Sequence, residues 1–160
     1  MKRWVMSRHD SQELIAKLQS SLSITLELGH SSQASCSEPS EGVIFVTLDE
    51  RYVFIQKGDH FIPFLGSQDA LALFPSVRVD EGAIKFMLNG ADVMRPGVRS
   101  YDEWGDADRT VAVREEKKGR GIAVGKTLIT SAEMALLSKG PCVRNIHHVG
   151  DRFWTLYKEV

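Results

Sequence analysis

The stretch that decides the fold is Val79–Val98, VDEGAIKFMLNGADVMRPGV. Its pattern predicts the end of a strand, a short helix, a glycine break, a second strand and a sharp turn. Asp80 suits the helix N-cap because its carboxylate accepts a backbone N–H, and Glu81 favours the first turn through the helix dipole. Asn89-Gly90 is typical of a helix stop, and Pro96-Gly97 predicts a type II turn.

Three apolar residues of this helix, Ile84, Met87 and Leu88, recur at helical spacing and predict a buried stripe. Gly82 is costly in the first turn, by about 1 kcal/mol relative to alanine. We therefore expect another backbone or a ligand to approach this glycine closely. Because Lys85 and Arg95 lie beside Gly82, Gly90 and Gly97, bare backbone and the two cations could together meet a phosphate group.

The composition is typical of a soluble globular protein. Of the 160 residues, 42% are hydrophobic and 26% are charged, and no apolar run approaches the roughly 20 residues that span a bilayer. The opening residues lack the apolar region of a signal peptide, which predicts a cytoplasmic protein that is not secreted. Cys36 and Cys142 are the only cysteines, so a disulfide framework and a zinc ribbon are excluded.

The charge gives no easy argument for nucleic-acid binding. The net charge is −1; the first 75 residues contain 6 lysines and arginines against 9 acids, and residues 76–160 contain 14 against 12. An RNA-binding surface must therefore be a local patch on a nearly neutral protein.

The first half predicts helices and a small β-meander. Trp4–Met6 is a short strand, Ser7 caps an amphipathic helix over Asp10–Leu22, and Ser23–Leu28 alternates like a strand. Residues 30–42 are rich in serine, glycine and proline and predict a mobile loop or a connection between strands, with an exposed Cys36 thiol.

Strand patterns continue to the middle of the chain. Val43–Leu48 and Tyr52–Ile55 predict a hairpin, and Phe61–Leu65 adds a third strand. Ser67 then caps a short helix that continues to Phe74.

The second half predicts strands on either side of one capped helix. An acidic loop is expected at Ser100–Asp108, followed by strands at Thr110–Val113 and Ile122–Ile129. Thr130 and Glu133 cap the helix, which ends at Lys139-Gly140-Pro141. Arg144–Val149 and Arg152–Tyr157 then form a closing hairpin.

No enzyme signature survives inspection, and we expect no catalytic residue, metal or cofactor. Gly121–Thr127 resembles a Walker A loop but has three residues between the glycines instead of four, and its sequence is strand-like. His147 and His148 should point to opposite faces of a strand, one packed and one exposed. The acidic loop lacks the EF-hand spacing.

Residues 76–160 look like a PUA domain. Val79–Val98 resembles the opening of that domain, and further matches are Asp108, Ala123–Lys126, Gly140, Asn145–His148 and Asp151–Trp154. Val43–Gly58, the FIPFL segment and the run into Pro75 resemble the pre-PUA half of the malignant T-cell-amplified sequence family. The chain is therefore identified as an archaeal-type member of that family.

The resemblance implies an α+β protein of two domains: a small α/β pre-PUA domain at 1–75 and a PUA β-pseudobarrel with short helices at 76–160. It also implies binding of structured RNA, read mainly by shape, without catalysis. Carried onto matching positions, it predicts RNA contacts at Gly82, Ala83, Lys85, Asn89, Gly90, Ala91, Met94, Arg95, Pro96, Gly97 and Lys126.

The same resemblance implies a role in translation initiation, reinitiation or recycling on the small ribosomal subunit. The expected ligands are tRNA or rRNA, the expected protein partner resembles density-regulated protein, and no membrane is involved. Two alternatives stay open: an RNA-targeting accessory module for a tRNA or rRNA modification enzyme, and a protein-interaction module that has lost RNA binding.

Overall fold

Eleven strands and five helices follow one another in the computed structural model, which describes all residues from Met1 to Val160. The strands are β1 (Lys2–Val5), β2 (Ser35–Ser40), β3 (Val43–Leu48), β4 (Tyr52–Lys57), β5 (His60–Pro63), β6 (Ser76–Val79), β7 (Val93–Met94), β8 (Val98–Tyr101), β9 (Thr110–Glu115), β10 (Gly121–Thr127) and β11 (Pro141–His148). The helices are α1 (Arg8–Leu22), α2 (Gln68–Leu71), α3 (Glu81–Met87), α4 (Ser131–Met134) and α5 (Arg152–Tyr157).

The chain divides into two units, one of Met1–Leu73 with Arg152–Val160 and the other of Phe74–Asp151. The predicted α+β class is confirmed. The assignment of a separate domain to 1–75 and to 76–160 stays a prediction, and the structure groups the last residues with the first unit. None of the helices has the length and apolar character needed to cross a membrane.

The first unit contains an antiparallel sheet in the order β1-β2-β3-β4-β5, so the predicted hairpin of β3 and β4 is confirmed. The Ser7 side chain accepts from the Asp10 N–H and caps α1, whose Leu14, Leu18 and Leu22 are buried. Each buried leucine contributes roughly 1.5–3 kcal/mol, so tertiary packing holds this helix.

Two predictions for residues 23–42 were wrong. Ser23 adopts a left-handed conformation (φ 55°) at the end of α1, and the Leu26 N–H donates to Gln19 Oε1 at 2.7 Å, so Ser23–Leu28 joins no sheet. The expected mobile loop contains β2, which pairs with both β1 and β3. Backbone pairing on both edges compensates for its poor strand propensity.

Cys36 lies on β2 and is buried, which corrects the exposed thiol expected from the sequence. Burial raises the pKa of Cys36 to about 11. Cys142 on β11 is also buried, and its pKa is raised to about 11 for the same reason. Both thiols therefore stay protonated at neutral pH.

The predicted C-terminal hairpin was wrong as well. β11 already pairs with β10 on one edge and β7 on the other, so no edge is free for residues 152–157. These residues form α5 instead. Trp154 and Tyr157, three positions apart, share one face of the helix and contact Phe64, with ring centroids 5.8 and 4.2 Å away.

The second unit is a six-stranded sheet in the order β7-β11-β10-β9-β6-β8, in which only β6 and β9 are parallel. The two outermost strands, β7 and β8, are consecutive in the chain and are joined by a three-residue 3-10 turn, Arg95–Gly97. Because so short a link holds both edges together, the sheet curls into the predicted PUA pseudobarrel. The expected type II turn was wrong, since Gly97 lacks the positive φ it requires.

The core of this barrel contains the apolar side chains of β6, β9 and β10 together with Met87 of α3. Leu88 is 37% exposed, so the predicted apolar stripe holds for Met87 and half-buried Ile84 only. The physical reason is length: α3 ends at Met87, and Leu88 is only the C-cap residue.

The capping box of Thr130 and Glu133 is confirmed, but α4 ends at Met134, several residues before the expected stop.

The acidic loop expected at Ser100–Asp108 is shorter than predicted, because β8 includes Ser100 and Tyr101. In the loop that remains, residues 102–108, the Trp104 side chain is buried and donates its Nε1–H to Ile129 O at 2.9 Å.

The Walker-like segment forms strand β10, as its sequence predicts. His147 is fully buried and lies 2.9 Å from Asp151 through Nδ1, whereas His148 is half-buried. The packed histidine is thus confirmed, and its neighbour is less exposed than expected.

A β-bulge displaces β11 beside β10. Val124 lies opposite His147 but Gly125 lies opposite Asn145, so one extra residue of β11, Ile146, is accommodated between them. A Cβ at position 125 would overlap the Val143 side chain and come 2.8 Å from Arg144 O. Only glycine fits the bulge.

We therefore expect Gly125→Ala to lower the free energy of unfolding by about 1–3 kcal/mol, because the added methyl overpacks the barrel. Urea denaturation followed by circular dichroism measures this change. Gly82→Ala is the matched control: its Cβ would lie 3.4 Å from Asp80 Oδ1, an ordinary contact, and stability should not fall. Equal midpoints for Gly125→Ala and wild type would contradict the close-packed bulge.

Candidate nucleic-acid interface

The start of α3 is fixed to the turn that closes the barrel. Asp80 Oδ1 accepts from the Ala83 N–H at 3.0 Å, and the Asp80 N–H donates to Gly97 O at 2.9 Å. A Cβ on Gly97 would lie 3.4 Å from Ala83 Cβ, so the turn and the helix pack closely. This contact brings four predicted site residues together: Gly82, Ala83, Pro96 and Gly97.

The end of α3 is held by Asn145 of β11. Its Nδ2 donates to Met87 O at 3.0 Å and to Ala91 O at 3.1 Å, while its backbone N–H donates to Asp92 Oδ1 at 3.0 Å. Between these anchors Gly90 turns the chain with a positive φ of 88°, a conformation that favours glycine. The bulge at position 146 thus aims Asn145 at the loop between α3 and β7.

An open groove of about 690 Å³ lies between α3, β7 and the closing turn. Its walls are mostly apolar, and Phe86 and Met94 expose 57% and 49% of their surfaces there. The residues that line it are Asp80, Gly82, Ala83, Phe86, Met87, Ala91, Asp92, Val93, Met94, Pro96, Gly97 and Pro141. Six of the eleven predicted RNA-binding residues are among them.

The other predicted residues occupy different positions. Lys85 is exposed, and its Nζ lies 5.1 Å from the centroid of the Phe86 ring, which places a cation beside the groove. Asn89 and Gly90 are exposed at the end of α3. Lys126 lies on β10 and does not line the groove.

Arg95 makes several contacts within the fold. Its Nε donates to Met134 O at 3.1 Å, its guanidinium carbon lies 5.8 Å from the Tyr101 ring centroid, and its backbone N–H donates to Gly140 O at 2.8 Å. A half-buried guanidinium with these partners anchors the closing turn. The predicted RNA contact of Arg95 stays a prediction, and its structural contacts are observed.

The groove contains carboxylates but no cation. Asp80 and Asp92 line it, and Arg99 lies outside, 3.7 Å from Asp80 Oδ2. An apolar wall with exposed aromatic surface suits a base better than a phosphate. The cations lie around the groove rather than in it, Lys85 among them.

The acidic loop after β8 is tied to the barrel at Asp102. Its carboxylate accepts from the Ser76 N–H at 2.9 Å and from Arg78 Nη2 at 3.0 Å. These hydrogen bonds, that of Ser76 first, lower the pKa of Asp102. Its charge is thus partly neutralised within the fold.

A basic turn, Lys117–Arg120, borders the start of α3. The buried Glu115 carboxylate organises it by accepting backbone N–H groups from residues 117, 118 and 120, and those hydrogen bonds, that of Arg120 foremost, lower its pKa. Lys117 Nζ lies 3.0 Å from Glu81 Oε2. The turn therefore adds positive charge next to the helix.

Sequence reasoning missed Phe86, which projects into the groove, and Asn145, which holds its loop. Phe86 lies between the expected apolar and polar faces of α3 and had no signal of its own. Asn145 stands among the matches to the PUA domain, but nothing in its local sequence indicates which carbonyls it contacts.

Comparison with known proteins agrees with this architecture. The PUA domain family matches residues 75–149. Translation machinery-associated protein 20 of Saccharomyces cerevisiae is 30% identical over 139 residues, covering 80% of this chain and 75% of that protein. Malignant T-cell-amplified sequence 2 of Homo sapiens is 32% identical over 123 residues, covering 74% and 67%.

Two solved structures extend the comparison. A hypothetical protein from the archaeon Pyrococcus horikoshii superposes with a TM-score of 0.77 at 29% identity, over 97% of this chain and 99% of that one. An H/ACA ribonucleoprotein bound to a substrate RNA contains a chain that matches with a TM-score of 0.50 at 26% identity, over 60% of this chain and 29% of that one.

The two cations singled out with the glycines should behave differently on substitution. We expect Arg95→Glu to lower the free energy of unfolding by about 1–3 kcal/mol, because Met134 O loses its donor in a partly buried site. Lys85→Glu should change it by less than about 0.5 kcal/mol, because Lys85 is exposed. Urea denaturation measures both variants, and an Arg95→Glu protein as stable as Lys85→Glu would contradict the anchoring role.

Proposed function

Because this chain belongs to the family of PUA-domain proteins that includes translation machinery-associated protein 20 and the malignant T-cell-amplified sequences, we propose that it binds structured RNA and acts in translation. The RNA is tRNA or rRNA, and the site of action is the small ribosomal subunit during initiation, reinitiation or recycling. The protein carries out no catalysis of its own and works in the cytoplasm.

The groove beside α3 is the single observation that carries this proposal. Exposed Phe86 offers a stacking surface for an unpaired base, and base–aromatic stacking tolerates any sequence. Gly82 and Gly97 leave the groove walls without side chains there, so an RNA backbone can approach closely. Lys85 supplies a cation at its side, and the RNA is then read mainly by shape.

We assign a protein partner to the first unit. The first 75 residues carry more acids than bases, which disfavours RNA as their ligand. Edge strand β1 has all four residues exposed, Trp4 among them, and an exposed edge can pair with another chain. A partner resembling density-regulated protein fits this role.

The alternative is an RNA-targeting module for a tRNA or rRNA modification enzyme. It is favoured by the similarity to a chain of the H/ACA ribonucleoprotein, which is bound to a substrate RNA. Affinity purification from cells distinguishes the two roles. Recovery of small-subunit proteins supports the translation role, whereas a modification enzyme recovered without ribosomal proteins would favour the alternative.

The groove is tested by direct binding. Wild-type protein should bind unfractionated tRNA and purified small ribosomal subunits with an affinity that falls steeply with salt, because phosphate contacts release counterions. Phe86→Ala should weaken binding about 5- to 150-fold, the equivalent of one lost base stack of roughly 1–3 kcal/mol.

Leu136→Ala is the control variant, since Leu136 is 87% exposed and does not line the groove. It should bind as the wild type does. Equal affinities of Phe86→Ala and wild type, measured by fluorescence anisotropy with both proteins folded, would exclude the groove as the RNA site.

A further inference from the structure

Two cations oppose each other on neighbouring strands of the barrel. Lys126 of β10 lies opposite Arg144 of β11 on one side and Thr110 of β9 on the other. Residues directly opposite in antiparallel strands project from the same face with Cβ atoms about 4.5–5.5 Å apart. The three side chains therefore form one row across the sheet.

Neither cation of this row has an anionic partner. Some other cations of the same unit do: Arg78 pairs with Asp102, Arg99 with Asp80, and Lys117 with Glu81. No carboxylate oxygen lies within 4.0 Å of the Lys126 or Arg144 side chain. Like charges directly opposite destabilise a sheet, so an anion bound between them would relieve a cost that the fold otherwise bears.

Further features of the row fit an anion. Arg144 is exposed and Lys126 is half-buried, so a ligand can reach both. The Thr110 Oγ1 hydroxyl next to Lys126 is buried and has no hydrogen-bond partner. Asp92, which precedes β7, already accepts from the Asn145 N–H through Oδ1.

The row lies close to the groove along β11. Pro141 lines the groove, and Arg144 is three residues further along the same strand, or roughly 10 Å at 3.3 Å per residue. An RNA strand with one base in the groove can therefore extend its backbone towards Arg144.

We propose that Lys126 and Arg144 form a second anion site, which binds a phosphate of the RNA whose base occupies the groove. This inference rests on the proposed RNA-binding function and adds Arg144, which neither the sequence motifs nor the resemblance indicated. The bidentate guanidinium fits two phosphate oxygens, and the lysine supplies a point charge.

The Arg144→Glu variant separates an effect on RNA binding from an effect on the stability of the fold. It creates an opposite-charge pair with Lys126, so the melting temperature should stay the same or rise. The phosphate contact should be lost, which reduces the magnitude of the slope of log K against log salt by about 0.7–0.9 and weakens tRNA binding about 5- to 8-fold at 0.1 M salt.

Arg8→Glu is the matched control, because Arg8 is exposed in the first unit, forms no ion pair and undergoes the same charge change. It should retain the wild-type slope. An Arg144→Glu protein with wild-type affinity and slope, alongside a weakened Phe86→Ala protein, would overturn the second site and leave the groove intact. A lower melting temperature would instead assign Arg144 a structural role, and failure of the wild type to bind tRNA would overturn both proposals.

Discussion

The three-residue link between β7 and β8 is the constraint on which the rest of the second unit depends. These strands are the two edges of the six-stranded sheet, so a link this short requires the sheet to curl. Arg95 secures it, through its N–H to Gly140 O and its Nε to Met134 O. The same turn supplies one wall of the groove, so the groove is complete only when the barrel is closed.

Several helix caps and stops were predicted correctly because they depend on neighbours in the sequence. The Asp80 cap, the Thr130–Glu133 capping box and the Gly90 helix stop all formed. The pairing of strands that are distant in the sequence was not predictable from composition. β2 exists because β1 and β3 lie on either side of it, and residues 152–157 are helical because β11 has no free edge.

The candidate site shows the same division. Motif resemblance placed six residues on the groove, since it transfers backbone positions well. The resemblance could not assign roles to individual side chains, because these depend on the register of the paired strands and on the bulge at Gly125. Arg95 therefore proved to anchor the turn, while Phe86, Asn145 and Arg144 acquire their roles only from the folded barrel.

The resulting surface separates two kinds of recognition: an apolar groove suited to a base, and cations around it suited to phosphates. The most direct measurement of the central claim is nuclear magnetic resonance of the 15N-labelled protein titrated with tRNA. The account predicts that amide shifts concentrate at Gly82, Gly90 and Gly97, the glycines of α3, its stop and the closing turn. Shifts confined to residues 1–73, or none at all, would contradict it.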